Sequence, residues 1–223
     1  MKQARIIEIK QNVLGNNDLQ AQKLREELRD QKTFLLNLMS SPGSGKTTTV
    51  LRTIDMLRNR LSIGVIEADI DSTVDADRVL AVGIPAVQLR TGGLCHLEAE
   101  MTRDGLSGLD TASLDLIILE NVGNLVCPAE FDTGASKNAM ILSVPEGDDK
   151  PLKYPLMFST CDALIINKID AIASFDFNLA EVKKRVKKLK PDIAIFEISA
   201  KTGQGVENWA VWLQTQVSQW NQA

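Results

Sequence analysis

"FLLNLMSSPGSGKTT", Phe34 to Thr48, is an apolar run that ends in a glycine-rich turn and then opens on Lys46 and a row of threonines. A strand feeding such a loop, with a helix beginning at its end, is the arrangement that binds phosphate. Gly43 and Gly45 let successive N–H groups curl around an anion, and the helix N-terminus adds its dipole. The stretch fits the pattern G-x-x-x-x-G-K-[ST], except that Ser40 stands at the first glycine. That exchange is compatible with the loop if the backbone there stays out of positive φ. Gly43, Ser44, Gly45 and Thr48 line the turn, Lys46 bridges the β and γ phosphates, and Thr47 offers its hydroxyl to Mg²⁺.

Outward from this loop, apolar runs recur with helical stretches between most of them. "IGVIEAD" (63–69), "AVQL" (86–89), "LDLIILE" (114–120), "AMILSV" (139–144), "ALIIN" (163–167) and "AIFEIS" (194–199) are the further strand candidates. Helices are expected over about 47–60 and 76–82. Near-continuous apolar strands alternating with amphipathic helices predict an α/β fold, a mostly parallel sheet flanked by helices on both faces. With the phosphate loop this is a P-loop NTPase architecture. Its ligands sit beyond the carboxyl ends of the strands. Residues 1–31 read as an N-terminal helical extension of one or two helices, broken near Gly15–Asn17, with Asp18 as a cap and Ala21, Leu24 and Leu28 on one face. Residues 32–223 form the nucleotide-binding domain.

The bulk numbers restrict the setting. With 44% hydrophobic and 24% charged residues, the composition is that of an ordinary globular protein. A net charge of −4 argues against a general nucleic-acid surface. The basic run "KKRVKKLK" (183–190) reads as a solvated helix face. No apolar stretch approaches a membrane span, and the first ten residues lack a signal peptide's apolar core, so a cytoplasmic location is expected. Three unevenly spaced cysteines make no disulfide framework there.

Two acidic segments belong beside the phosphate loop. Glu120 ends an apolar strand, where an acid holds Mg²⁺ or its water, and Gly123 leaves an N–H for the γ-phosphate. "EADIDSTVDAD" (67–77) carries four aspartates. Asp69 and Asp75 are best placed to reach the metal or orient the attacking water, and the order of residues does not choose between them. Asp71 and Asp77 read as solvated.

The base is read by "NKID" (167–170) and "SAK" (199–201), each at the end of a strand. Asp170 accepts from the guanine N1–H and exocyclic amine, which adenine does not present. Lys168 lays its methylenes over the base, Asn167 ties the loops, and Ser199, Ala200 and Lys201 close the pocket, with the Ala200 N–H reaching guanine O6. A buried carboxylate left without those donors costs a few kcal/mol, so adenine is refused. The expected nucleotide is GTP.

"TGGLCHLEAEM" (91–101) holds the only histidine of the chain. Cys95 and His96, with Cys127 in "NLVCPAEFD", all follow strands, so they lie on the ligand-bearing side of the sheet. Thiolate and imidazole suit Zn²⁺ and Ni²⁺. Three ligands leave a tetrahedral ion one short, to be completed by a water, a backbone nitrogen, Glu98 or Glu100, or a second subunit. Cys161, just before "ALIIN", reads as a core residue. Because Cys127 stands four residues after Gly123, at most ~14 Å of chain, this ligand is tethered to the γ-phosphate sensor.

Together "SSPGSGKTT", "TGGLCHLEAEM", "ENVGNLVCPAEFDTG", "EGDDKPLKYP" and "INKID" closely resemble the HypB-type nickel-insertion GTPases of nickel-iron hydrogenase maturation, from about residue 30 to the end. The resemblance implies that Cys95, His96 and Cys127 bind zinc or nickel near a GTP-linked homodimer interface. It also implies that Lys153 reaches toward the other subunit's nucleotide. A small zinc-containing HypA-type protein and a hydrogenase large-subunit precursor are the implied partners. No nucleic acid or membrane is expected. Two departures stand out: residues 1–31 lack the N-terminal cysteine motif and histidine-rich stretch of some relatives, and Glu100 stands where some carry a further histidine. The alternatives are an assembly GTPase with a purely structural zinc, or one that inserts nickel into urease.

Overall fold

A computed structural model describes residues 9–70 and 74–222. All seven expected strands form: β1 (Phe34–Ser40), β2 (Ile63–Asp69), β3 (Ala86–Arg90), β4 (Leu116–Glu120), β5 (Lys137–Ser143), β6 (Ala163–Asn167) and β7 (Ala194–Glu197). They make one parallel sheet in the order β3-β2-β4-β1-β5-β6-β7. Around it lie α1 (Ile9–Asp30), α2 (Lys46–Leu57), α3 (Val74–Ala81), α4 (Ala99–Ser107), α5 (Cys127–Glu130), α6 (Lys150–Lys153), α7 (Pro155–Thr160), α8 (Leu179–Leu189) and α9 (Val206–Gln222). This is the expected α/β fold.

Alternation along each strand divides the core between two faces. Leu36, Leu38, Val65, Ile118 and Ile141 pack under α2, α3 and α9, where Trp209 Nε1 donates to Thr53 Oγ1 at 2.9 Å. Their neighbours in sequence face the other way, Leu35, Ile66, Ile117 and Leu119 under α1 and α4, and Met140, Leu142, Leu164 and Ile166 under α7 and α8. Strand order reverses about β1, which has β4 on one side and β5 on the other. The loop leaving β1 therefore opens at the switch point, where ligands bind in such sheets.

The expected break at Gly15–Asn17 does not occur, because α1 runs unbroken through it. The Asn17 amide, which would otherwise turn the local backbone, is taken up by partners 82 and 115 residues away. Asp18 is thus an exposed mid-helix residue and no cap. The face predicted for this helix is the buried one, with Ala21, Leu24 and Leu28 all at most 3% exposed. The strand expected from Leu114 starts at Leu116, because Thr111–Ser113 form a 3-10 turn. The basic run is part of α8, which buries Val182 and Val186. Three of its cations form ion pairs, Lys183 with Glu197, Lys184 with Glu181, and Arg185 with Asp148. No helix of the described residues is long and apolar enough to cross a membrane.

Candidate functional site

The phosphate loop is built by two glycines that no side chain would replace easily. Gly43 has φ +74° and Gly45 φ +96°, and a Cβ on Gly45 would lie 2.6 Å from Asn167 Nδ2. Ser40 is not among the positive-φ residues, so the missing first glycine leaves the turn intact. The Ser44 hydroxyl donates to Ser40 Oγ at 2.6 Å, and both are buried. Beyond the loop lies a cavity of about 410 Å³ whose lining includes Gly43, Gly45, Lys46, Thr47, Thr48 and Gly123. Gly123 packs against the loop itself, since a Cβ there would meet Pro42 at 3.1 Å.

Register brings a second glutamate into this cavity. Glu67 of β2 pairs with Glu120 of β4, and both line the cavity beside Lys46. Thr47 Oγ1 donates to Glu120 Oε1 at 3.1 Å. Burial, then the neighbouring Glu120, pushes the Glu67 carboxyl up to about 10. Burial also raises Glu120, against the pull of Lys46. Glu67 Oε1 and Glu120 Oε2 are buried without a hydrogen-bond partner. Two carboxylates paired across adjacent strands, a threonine hydroxyl and orphaned oxygens make a donor set that fits a hard divalent cation such as Mg²⁺. Glu67 was not singled out in the sequence, where it sits inside an apolar strand. The signal available was that it shares a face with Asp69, two residues on.

Asp69 and Asp75 both line the same cavity. Asp75 is near enough to raise both glutamates, and it pairs with Arg78 at 3.2 Å. Asp77 is exposed and off the cavity lining, and Asp71 lies outside the described residues.

The base-side residues converge on the phosphate loop. Asn167 Nδ2 donates to the Ser44 carbonyl at 2.9 Å, and its Oδ1 accepts from the Ala200 N–H at 3.0 Å. That N–H, expected to face guanine O6, is therefore committed to tying the loops together. Lys168 adopts φ +63° and donates to the Gly43 carbonyl at 2.6 Å. Ser199 Oγ accepts from the Thr202 N–H, while Arg52 of α2 holds the carbonyls of Ala200 and Lys201. Asp170 is exposed in the turn after Lys168, so the carboxylate expected to be buried against guanine is open to solvent in the single chain.

On the same side of the sheet, Cys95, His96 and Cys127 bring one ligand atom each to within 4.8 Å of one another. The Thr91 hydroxyl donates to the Leu94 carbonyl, Gly92 and Gly93 turn at positive φ, and Leu97 is fully buried. The loop thus presents Cys95 and His96 from an anchored base. The two sulfurs are 2.9 Å apart, and the Cys95 thiol, ahead of burial, pushes Cys127 up. His96 points Nδ1 toward Cys95 at 4.0 Å and Nε2 toward Glu98 Oε1 at 3.4 Å, and its ring stacks on Phe131 at 3.9 Å. Glu98 thus stands behind the imidazole, the place of a carboxylate that orients a ligating histidine. Glu100 is exposed on α4. Cys161 is fully buried, as expected, and burial pushes it up to about 12.

Residues 34–197 match the family model "CobW/HypB/UreG, nucleotide-binding domain". The chain is 44% identical over 216 residues to hydrogenase maturation factor HypB of Azotobacter vinelandii, covering 97% of this chain and 71% of that protein. Against hydrogenase/urease maturation factor HypB of Helicobacter pylori strain J99 it is 44% identical, covering 91% and 85%. The crystal structure of HypB from Helicobacter pylori in complex with nickel superposes with a TM-score of 0.87 at 41% identity, over 92% of this chain and 96% of that one. The signal recognition particle 54 kDa protein of Aeropyrum pernix shares only the fold, at 13% identity and a TM-score of 0.58 over 85% of this chain and 49% of that one. With a phosphate loop, an acidic cavity and a cysteine-histidine cluster in place, the chain belongs to the CobW/HypB/UreG family, on its HypB branch.

Proposed function

We propose that this protein is a cytosolic, Mg²⁺-dependent GTPase that binds nickel or zinc and uses GTP hydrolysis to time nickel delivery to a nickel-iron hydrogenase precursor. The observation that carries the reading is the assembly of Cys95, His96 and Cys127, with Cys127 four residues from a glycine that lines the phosphate cavity. Lys46 and the loop N–H groups hold the β and γ phosphates. Thr47, Glu120, Asp69 and Asp75 form the Mg²⁺ side, and Asp69 or Asp75 orients the attacking water. The metal supplies charge neutralisation on the transferring phosphoryl group. Asn167, Lys168, Asp170 and the Ser199–Lys201 loop select guanine.

Hydrolysis releases the Gly123 N–H from the γ-phosphate, which shifts Cys127 relative to Cys95 and His96 and alters their grip on the cargo ion. GTP-dependent homodimerisation completes the cycle, with Lys153 reaching across it and a HypA-type partner exchanging nickel. In the single chain Lys153 pairs with Asp149 at 2.5 Å and is largely exposed. The test is Ni²⁺ affinity of the purified protein with GDP and with a non-hydrolysable GTP analogue. A several-fold difference is expected, and equal affinities overturn the scheme. A second reading, nickel delivery to urease, is favoured by the Helicobacter relatives described as hydrogenase/urease maturation factors. Assaying which metalloenzyme loses activity in a deletion strain separates the two. A purely structural zinc predicts that Cys95→Ala weakens folding but produces no defect that excess Ni²⁺ rescues.

A further inference from the structure

The two candidate metal-binding loops come from different strands and meet at the sulfur pair and the His96–Phe131 stack. Both are also fastened to α1. The Asn17 side chain, 5% exposed, accepts from the Ala99 N–H at 2.9 Å, immediately after the Cys95-His96 loop. Its amide nitrogen donates to the Asp132 carbonyl at 2.8 Å, next to Phe131 in the Cys127 loop. Eight residues along the same helix face, Arg25 donates to both Asp132 carboxylate oxygens at 2.7 Å and to the Ala135 carbonyl at 2.9 Å. Between these points Gly134, at φ +80°, lies so close that a Cβ would come within 3.1 Å of the Ala21 carbonyl.

We propose that α1 is a clasp that sets the separation of the two ligand loops, and that Asn17 is a positioning residue for the bound ion. This rests on the metal reading of Cys95, His96 and Cys127 given above. The planar Asn17 amide offers one donor and one acceptor at this spacing. A carboxylate keeps the bond from Ala99 but sets an oxygen against the Asp132 carbonyl. Changes in groups that orient metal ligands commonly lower affinity by roughly tenfold to a hundredfold.

The test is titration of the full chain with Ni²⁺, followed by the thiolate-to-nickel absorption band, for the parent, Asn17→Asp, Arg25→Gln and Cys127→Ala. Thermal melting and affinity for a fluorescent GTP analogue are measured alongside. Asn17→Asp is expected to bind Ni²⁺ about tenfold more weakly with a shifted band, while nucleotide affinity stays within about twofold. Arg25→Gln, at a half-exposed position, moves the same readouts in the same direction and serves if Asn17→Asp fails to fold. Unchanged affinity and band in both folded helix variants, with loss of the band in Cys127→Ala, overturns the clasp and leaves the metal site standing. An unaltered band in Cys127→Ala overturns the metal reading and the clasp with it.

Discussion

Glu67 and Glu120 meet across two neighbouring strands, with the Lys46 charge close by. Burial, and then the neighbouring Glu120, favour the protonated carboxyl over the opposing pull of Lys46, so at neutral pH Glu67 holds a proton that the unfolded chain has released. Its folded value, about 10, lies above the ordinary 4.5. The stability it contributes is therefore full below the lower value and is lost as pH rises toward the upper one. Glu67→Gln removes that linkage while preserving shape. The nucleotide- and Mg²⁺-free variant is expected to melt higher than the parent at about pH 8.5, with the gap closing toward about pH 5. Parallel melting curves across that range contradict the buried proton. In the loaded state the same change removes a carboxylate from the cation's side of the cavity, so Mg²⁺-dependent nucleotide affinity falls about tenfold or more.

The phosphate loop and the base loop act as one element because Asn167 joins Ser44 to Ala200. Gly45 is where they touch. Its φ of +96° lies outside what L side chains adopt readily, and the added methyl would strike Asn167. Gly45→Ala is expected to weaken nucleotide binding by at least about tenfold, from backbone strain of roughly 1–3 kcal/mol and a displaced Asn167. Fluorescent-nucleotide titration measures it. Unchanged affinity would mean that the two loops are fastened elsewhere. The segment after β4 is the other element that joins sites. Asn121 is fixed by the Leu38 carbonyl and by Asn37, Gly123 lies on the phosphate loop, and Cys127 begins the short α5.

Across the molecule, the sheet places the phosphate cavity and the cysteine-histidine cluster at one end, and linkage makes any communication between them reciprocal. Whatever factor separates Ni²⁺ affinity in the GDP and GTP-analogue states must also separate the two nucleotides' relative affinities with and without Ni²⁺. Calorimetric titration around the full cycle is expected to give equal factors, on the order of 5- to 150-fold for ordinary couplings. A factor of one on both sides would leave two independent sites on a shared scaffold. The N-terminal helix enters here, since α1 covers the Leu35–Leu119 face and also holds the Cys95-His96 and Cys127 loops.

The strands, the phosphate loop and the NKID turn are legible in the residue order, because each is specified within a dozen consecutive residues by apolar runs and glycine placement. Cys95 and Cys127 were legible as ligand types, their proximity only as an expectation from both following strands. What the residue order did not contain is anything that depends on register or on distant packing. Glu67 becomes part of the cavity through pairing with Glu120, the Ala200 N–H is claimed by Asn167, and the helix runs through Gly15–Asn17 because Asn17 finds partners on two remote loops. Local propensity governs elements whose hydrogen bonds close within a few residues. A polar side chain buried by the fold is governed by whichever donor or acceptor the packing brings to it.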